Sequence, residues 1–150
     1  MGSSLFFDDY TPGKKIETGG RTITEADIVN FACLSGDFNP IHTNAEHANK
    51  GPFGGRIAHG LLGLAVLSGL IHEHGAIRES TVAFVHLSWR FTQVVKIGDT
   101  IHGLFEVTKT RAVGPGQGLV YFDSKIVNQR GETVGQGEWG LMIKKKPALA

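Results

Sequence analysis

Gly60-Leu61-Leu62-Gly63-Leu64-Ala65-Val66-Leu67-Ser68-Gly69-Leu70-Ile71-His72-Glu73-His74 is the stretch that decides the architecture. Its apolar residues surround the segment instead of marking one stripe, so it reads as a helix buried on most sides. At about 1.5 Å per residue it runs only ~22 Å, and it is shorter than the ~20 apolar residues a membrane span needs. Gly60, Gly63 and Gly69 weaken a helix and make sense where another backbone approaches closely. After Gly75 the period changes to two. Val85, Leu87, Trp89 and Phe91 alternate with Phe84, His86, Ser88 and Arg90, which predicts a long half-buried strand. Ile101, Phe105 and Val107 repeat the alternation after the Gly98-Asp99 turn. Residues 119–127 and 132–143 flank Asn128-Gln129-Arg130-Gly131 as a hairpin. One buried helix followed by long antiparallel strands predicts an α+β fold in which a sheet wraps a central helix.

Upstream, residues 5–23 read as irregular or strand structure around Pro12-Gly13. Thr24 caps a helix, with Asp27 completing an imperfect capping box. Ile28, Phe31 and Ala32 form its core face, and Gly36 and Pro40 stop it. A small helical turn is expected over Ala45–Asn49. Gly114-Pro115-Gly116-Gln117-Gly118 lacks the Lys-Ser/Thr ending of a phosphate loop and reads as a connector between strands. With 150 residues the chain has the size of one domain, expected to span 1–150. A net charge of +1 supplies no bulk attraction for nucleic acid or a membrane surface. The cluster Lys144-Lys145-Lys146 reads as a solvated tail. The lone cysteine, Cys33, permits no internal disulfide and reads as a buried structural thiol. No N-terminal targeting pattern is present, so the expected location is the cytoplasm.

The chemistry-bearing stretch is Gly36-Asp37-Phe38-Asn39-Pro40-Ile41-His42, with His59-Gly60 seventeen residues further on. An acid and a base five residues apart, in a turn built from Gly, Asn and Pro, can be held close together. Gly60, at a helix N-terminus, offers an unpaired backbone N–H to a substrate oxygen. Two proton-transfer groups and one oxyanion donor are the minimum parts for adding water across, or removing it from, a bond next to a carbonyl. The same residues also fit an Asx-type turn around a merely satisfied His42, and Gly60 fits simple helix–sheet packing. His59 reads as a residue that fixes the loop before the helix. Ser68 either bonds a carbonyl one turn back or reaches Asp37. His72-Glu73-His74 lacks the i, i+4 spacing of a zinc-binding helix, and no metal is expected.

Ser35-Gly36-Asp37-Phe38-Asn39-Pro40-Ile41-His42, then Phe53-Gly54-Gly55-Arg56-Ile57-Ala58-His59-Gly60, Ser68-Gly69-Leu70 and Ile97-Gly98-Asp99, resemble the signature of the MaoC-like, (R)-specific enoyl-CoA hydratases. The resemblance covers most of the chain from Thr24 onward. It implies the hot-dog fold, dimerisation through sheet edges, and a catalytic pair at or near the subunit interface. It further implies that Asp37 and His42 hold and activate water, that Gly60 N–H polarises a thioester carbonyl, that Ser68 orients Asp37, and that Asn39 braces the loop. The substrate so implied is an acyl-CoA thioester, with no cofactor, and the assembly a homodimer or higher oligomer. Val94 stands where members often carry proline, a departure that bears on local rigidity. Two other functions remain open on the residues alone: a hot-dog thioesterase, and a non-catalytic acyl-thioester-binding subunit.

Overall fold

The computed structural model describes residues 4–147. A 3-10 turn at Phe7–Asp9 and two short strands, β1 (Lys15–Glu17) and β2 (Arg21–Thr22), lead into helix α1 (Glu25–Ser35). The predicted capping box is present. Asp27 N–H donates to the Thr24 hydroxyl at 3.3 Å, and Thr24 N–H donates to the Asp27 carboxylate at 2.8 Å. Gly36 ends the helix in the left-handed region at φ 79°. Ile28 and Ala32 face the core, but Cys33 lies one position further round and is exposed, not buried as expected. Two short helices, α2 (Pro40–Thr43) and α3 (Ala45–Asn49), precede the long helix α4 (Gly60–His74).

Five further strands complete one antiparallel sheet: β3 (Thr81–Leu87), β4 (Arg90–Phe91), β5 (Thr100–Val113), β6 (Gln117–Asn128) and β7 (Thr133–Lys144). Their order is β1-β5-β6-β7-β3, with β2 beside β5 and β4 beside β7. The sheet curls around α4 in the hot-dog arrangement. Leu62, Val66, Leu67, Leu70 and Ile71 of α4 share one core with Ile101, Phe105, Phe122, Ile126 and Trp139 of the sheet. Each such side chain contributes roughly 1.5–3 kcal/mol by leaving water. The segment at residues 114–116 is the tight turn of the β5–β6 hairpin, and Gln117 and Gly118 already belong to β6.

Two expectations need correction. Helix α4 is buried round more than half of its circumference, along Leu62, Leu64, Val66, Leu67, Leu70 and Ile71, but it is not closed all round: Leu61, Ala65, Ser68 and Gly69 form an open face, with Leu61 62% exposed. A Cβ on Gly69 would meet nothing within 4 Å, so no close approach explains that glycine. The strand over 84–91 breaks between Leu87 and Arg90, where a Cβ on Gly137 would collide with the Ser88 carbonyl. Its first part, β3, is exposed on both faces, since it is the last strand of the sheet and lies beyond the reach of α4.

The turn before β5 is pinned to the β6–β7 turn by Asp99, which is buried. Its carboxylate accepts from Lys96 N–H at 2.9 Å, Gln129 Nε2 at 2.7 Å and Arg130 Nη1 at 3.0 Å. Burial alone pushes this carboxyl up, but the bonds from Gln129, Lys96 and Arg130 outweigh it and hold the group below the usual aspartate range. A lowered folded-state value means stability that is present above the unfolded value of about 3.9 and is lost as pH falls through the folded one. Asp99→Asn should therefore cost roughly 1–3 kcal/mol at neutral pH, and its gap from wild type should narrow below about pH 4. Thermal unfolding at pH 7 and pH 3 checks both. An equal deficit at the two pH values would show that the carboxylate's charge is not what matters.

Candidate active site

The Asp37–His42 turn is built by its own side chains. Asn39 N–H donates to Asp37 Oδ1 at 3.1 Å, and Ile41 N–H donates to Asn39 Oδ1 at 3.2 Å, so two Asx turns run in sequence. Asn39 thereby caps α2, with Pro40 at its first position. The Thr43 hydroxyl closes the turn by donating to the Phe38 carbonyl at 3.0 Å. His42 is buried, and its Nδ1 lies 2.7 Å from the Ile57 carbonyl oxygen. A carbonyl only accepts, so Nδ1 carries the proton and Nε2 keeps a free lone pair. The Asx-turn reading and the acid–base reading thus describe the same geometry: the turn is self-satisfied, yet His42 still presents a proton acceptor.

Residues 57–59 tie this turn to the sheet and to α4. Ile57 N–H donates to the Ile41 carbonyl at 3.2 Å, Ala58 N–H donates to the Val95 carbonyl at 2.8 Å, and Ile57 bridges Lys96. His59 is the N-cap residue of α4, but its side chain makes no capping bond. Gly60, as the first helical residue, has an N–H with no intrahelical acceptor. Phe91 lies over it. A Cβ on Gly60 would stand 2.7 Å from Phe91 Cε1, so only glycine leaves that ring in place.

These elements enclose a cleft of about 320 Å³, with His42, His59 and Gly60 on one side and Trp89, Phe91, Ile126 and Val134 among the other walls. Its lining is mainly apolar, with His42 and His59 at the end by α2 and α4 and Gln93 on the sheet side as the polar side chains, as in small-molecule sites generally. Asp37 is exposed beside it. One of its carboxylate oxygens and one nitrogen from each of the His42 and His59 rings lie within 4.8 Å of one another. One water molecule bridges such a span. The His42 and His59 rings stack, with centroids 3.8 Å apart and 28° between planes.

The structure therefore brings Asp37, Asn39, His42, His59 and Gly60 together. It does not bring Ser68 to them. The Ser68 hydroxyl donates to the Ala65 carbonyl at 2.7 Å, on the open face of α4, which is the back-bonding alternative and not the contact with Asp37. Phe91 and Trp89 were not foreseen as cleft residues. Their shared parity in the alternating pattern marked an inward face, but nothing in the pattern said that this face looks onto Gly60.

The family profile of the MaoC like domain matches residues 8–125. An (R)-specific enoyl-CoA hydratase from Rhodospirillum rubrum is 33% identical over 142 residues, covering 92% of this chain and 91% of that protein. Protein MaoC from Klebsiella aerogenes is 41% identical over 96 residues; the match takes in 64% of this chain but only 28% of that protein's length. Among solved structures, a monoamine oxidase regulatory protein from Archaeoglobus superposes with a TM-score of 0.88 at 36% identity, over 97% of this chain and 98% of the other. The profile spans most of the chain and the Rhodospirillum relative nearly all of it, and the chain belongs to the MaoC-like family.

Proposed function

We propose that this protein catalyses the reversible, (R)-specific hydration of trans-2-enoyl-CoA to (R)-3-hydroxyacyl-CoA. The observation that carries the reading is the convergence, at one apolar cleft, of a histidine with a fixed acceptor nitrogen, a carboxylate one water away, and an unpaired helix-start N–H. The named activity of the Rhodospirillum relative supports the substrate class and the stereochemistry.

In this scheme Asp37 and His42 share one water. One of the pair takes its proton as the oxygen bonds to C3, and the pair delivers a proton to C2. The negative charge that gathers on the thioester oxygen is met by Gly60 N–H and the positive end of α4. The apolar walls bind the acyl chain and keep bulk water from competing for C3. Asn39 braces the turn through its bond from Ile41 N–H. No step calls for an ion or an organic cofactor. Following alkene absorbance and free thiol release on crotonyl-CoA tests the reading. Loss of alkene without thiol is expected; thiol release points to a thioesterase, and neither signal to a binding subunit.

The working unit in this proposal is a homodimer joined along β3. That strand is the sheet edge, and Val82, Phe84, Val85 and Leu87 on it are all half-exposed. An apolar edge of this kind stays soluble by pairing. Pairing with a second copy through a two-fold axis extends the sheet and covers these side chains. Val85→Glu should then shift the light-scattering mass from twice 16.1 kDa toward a single chain. A wild-type protein that is already monomeric and fully active at micromolar concentration would contradict the dimer.

A further inference from the structure

His59 is an odd choice for its position. Helix N-caps favour Ser, Thr, Asp and Asn, whose oxygens accept from the first-turn N–H groups, and His59 makes no such bond. A buried aromatic site favours Phe, which carries no polar atom. His59 is 3% exposed, yet its Nδ1 has no hydrogen-bond partner among the described residues. Both capping and packing are thus served worse by histidine than by a commoner residue.

What histidine does provide is a hydrogen bond and ring contacts at once, beside a backbone bond that any residue would make. Its Nε2 lies 2.9 Å from the Asp37 carbonyl oxygen, so Nε2 carries the proton and donates to the backbone of the acid. Its ring stacks on His42 with centroids 3.8 Å apart and packs against the Phe31 ring at 4.9 Å. Its own carbonyl accepts from Leu62 N–H at 3.1 Å, the first bond of α4, which fixes the peptide that carries the Gly60 N–H. One residue therefore reaches the element bearing the acid and the ring of the base through its side chain, and the first turn that carries the oxyanion donor through its backbone.

We propose that His59 is a positioning residue that sets Asp37, His42 and Gly60 in register for the reaction. This rests on the hydratase reading given above. His59 need not exchange a proton itself: it faces the backbone of Asp37, not its carboxylate, and its free nitrogen is sealed from solvent. Its effect is geometric. A displacement of about 1 Å in an acid–base pair can cost on the order of 100-fold in turnover while leaving binding of the ground state intact. The unpartnered Nδ1 is then what remains of a residue chosen for its hydrogen bond and its stack, at some cost in stability.

The test uses two substitutions that separate the contacts. His59→Phe keeps the stack and removes a buried polar atom, so packing alone predicts an unchanged or raised Tm and unchanged turnover. Positioning predicts a kcat at least about tenfold lower on crotonyl-CoA, with KM within about threefold of wild type. His59→Gln restores an N–H donor toward the Asp37 carbonyl and should recover part of that loss. On an Asp37→Asn background, His59→Phe should cost little more, since the acid it positions is already gone. Wild-type kcat in His59→Phe, or a full additive loss in the double variant, would overturn the proposal. Long-range 1H–15N spectra supply a readout that needs no turnover. The His42 ring signals should shift and broaden in His59→Gln, where the stack is lost, while the Nδ1–H tautomer held by the Ile57 carbonyl is kept. An unchanged His42 spectrum there would count against the role even if the protein proved not to be a hydratase, whereas a wild-type protein inactive on enoyl-CoAs would sink the hydratase reading alone.

Discussion

Asp37→Asn lowers kcat on crotonyl-CoA at least about 100-fold without unfolding the protein, if the carboxylate handles a proton. Asparagine is the right probe because its oxygen can still accept from Asn39 N–H, so the first Asx turn survives. Asp37 is exposed and carries no core packing, which leaves charge and basicity as the only properties removed. His42 needs more care. His42→Ala also removes the bond to the Ile57 carbonyl and empties a buried volume, so a fall in Tm accompanies the loss of turnover. His42→Asn keeps a donor near the Nδ1 position and removes the acceptor at Nε2. A loss of about 100-fold or more in that variant, with Tm close to wild type, assigns the effect to the acceptor nitrogen. Full activity in either folded variant removes its residue from the mechanism.

How much of this was legible in the sequence differs by level. The capping box at Thr24 and Asp27, the glycine stop at Gly36, the helix at Gly60–His74 and the β6–β7 hairpin were all readable, because each depends on residues close in the chain. So were the fold class and the family. Apart from the break in the strand over 84–91 and the place of Ser68, the misreadings concern which side of an element faces solvent. Val85 and Leu87 follow the alternation of a half-buried strand, but β3 lies at the sheet edge with no helix over it, so neither face is covered. Leu61, Ala65, Ser68 and Gly69 belong to a helix whose sequence is apolar all round, and within one chain that face has nothing to bury against. Cys33 was misjudged by one position of helical rotation. At the site, the Asp37–His42 turn could be anticipated because Asn39 and Pro40 build it locally. The stacking of His59 on His42 and the seat of Phe91 on Gly60 join segments 17 and 31 residues apart and had no local signal. Both open faces, β3 and the outer side of α4, carry apolar residues.

The oxyanion role of Gly60 can be isolated by comparing two substitutions at the same atom. Gly60→Ala and Gly60→Pro both introduce a Cβ that would stand about 2.7 Å from Phe91 Cε1. Phe91 is 53% exposed, so its ring can swing outward and the fold can absorb either residue. Only proline removes the N–H. Its backbone suits the place, because the first position of a helix tolerates proline, and His59 precedes it at ψ 136°, the extended conformation that proline demands of its neighbour. Gly60→Ala therefore reports the steric effect of a Cβ and a displaced Phe91, and the further loss in Gly60→Pro reports the N–H. Removing one preorganised oxyanion donor typically costs about 100- to 1,000-fold in kcat, or about 2.7–4 kcal/mol of transition-state stabilisation. We expect kcat of Gly60→Pro to fall below that of Gly60→Ala by that factor, with KM nearly the same in the two, because the charge that the N–H meets develops only as the oxygen adds to C3. Equal turnover in the two variants would mean that the thioester oxygen is held elsewhere and that glycine stands at this position only to seat Phe91.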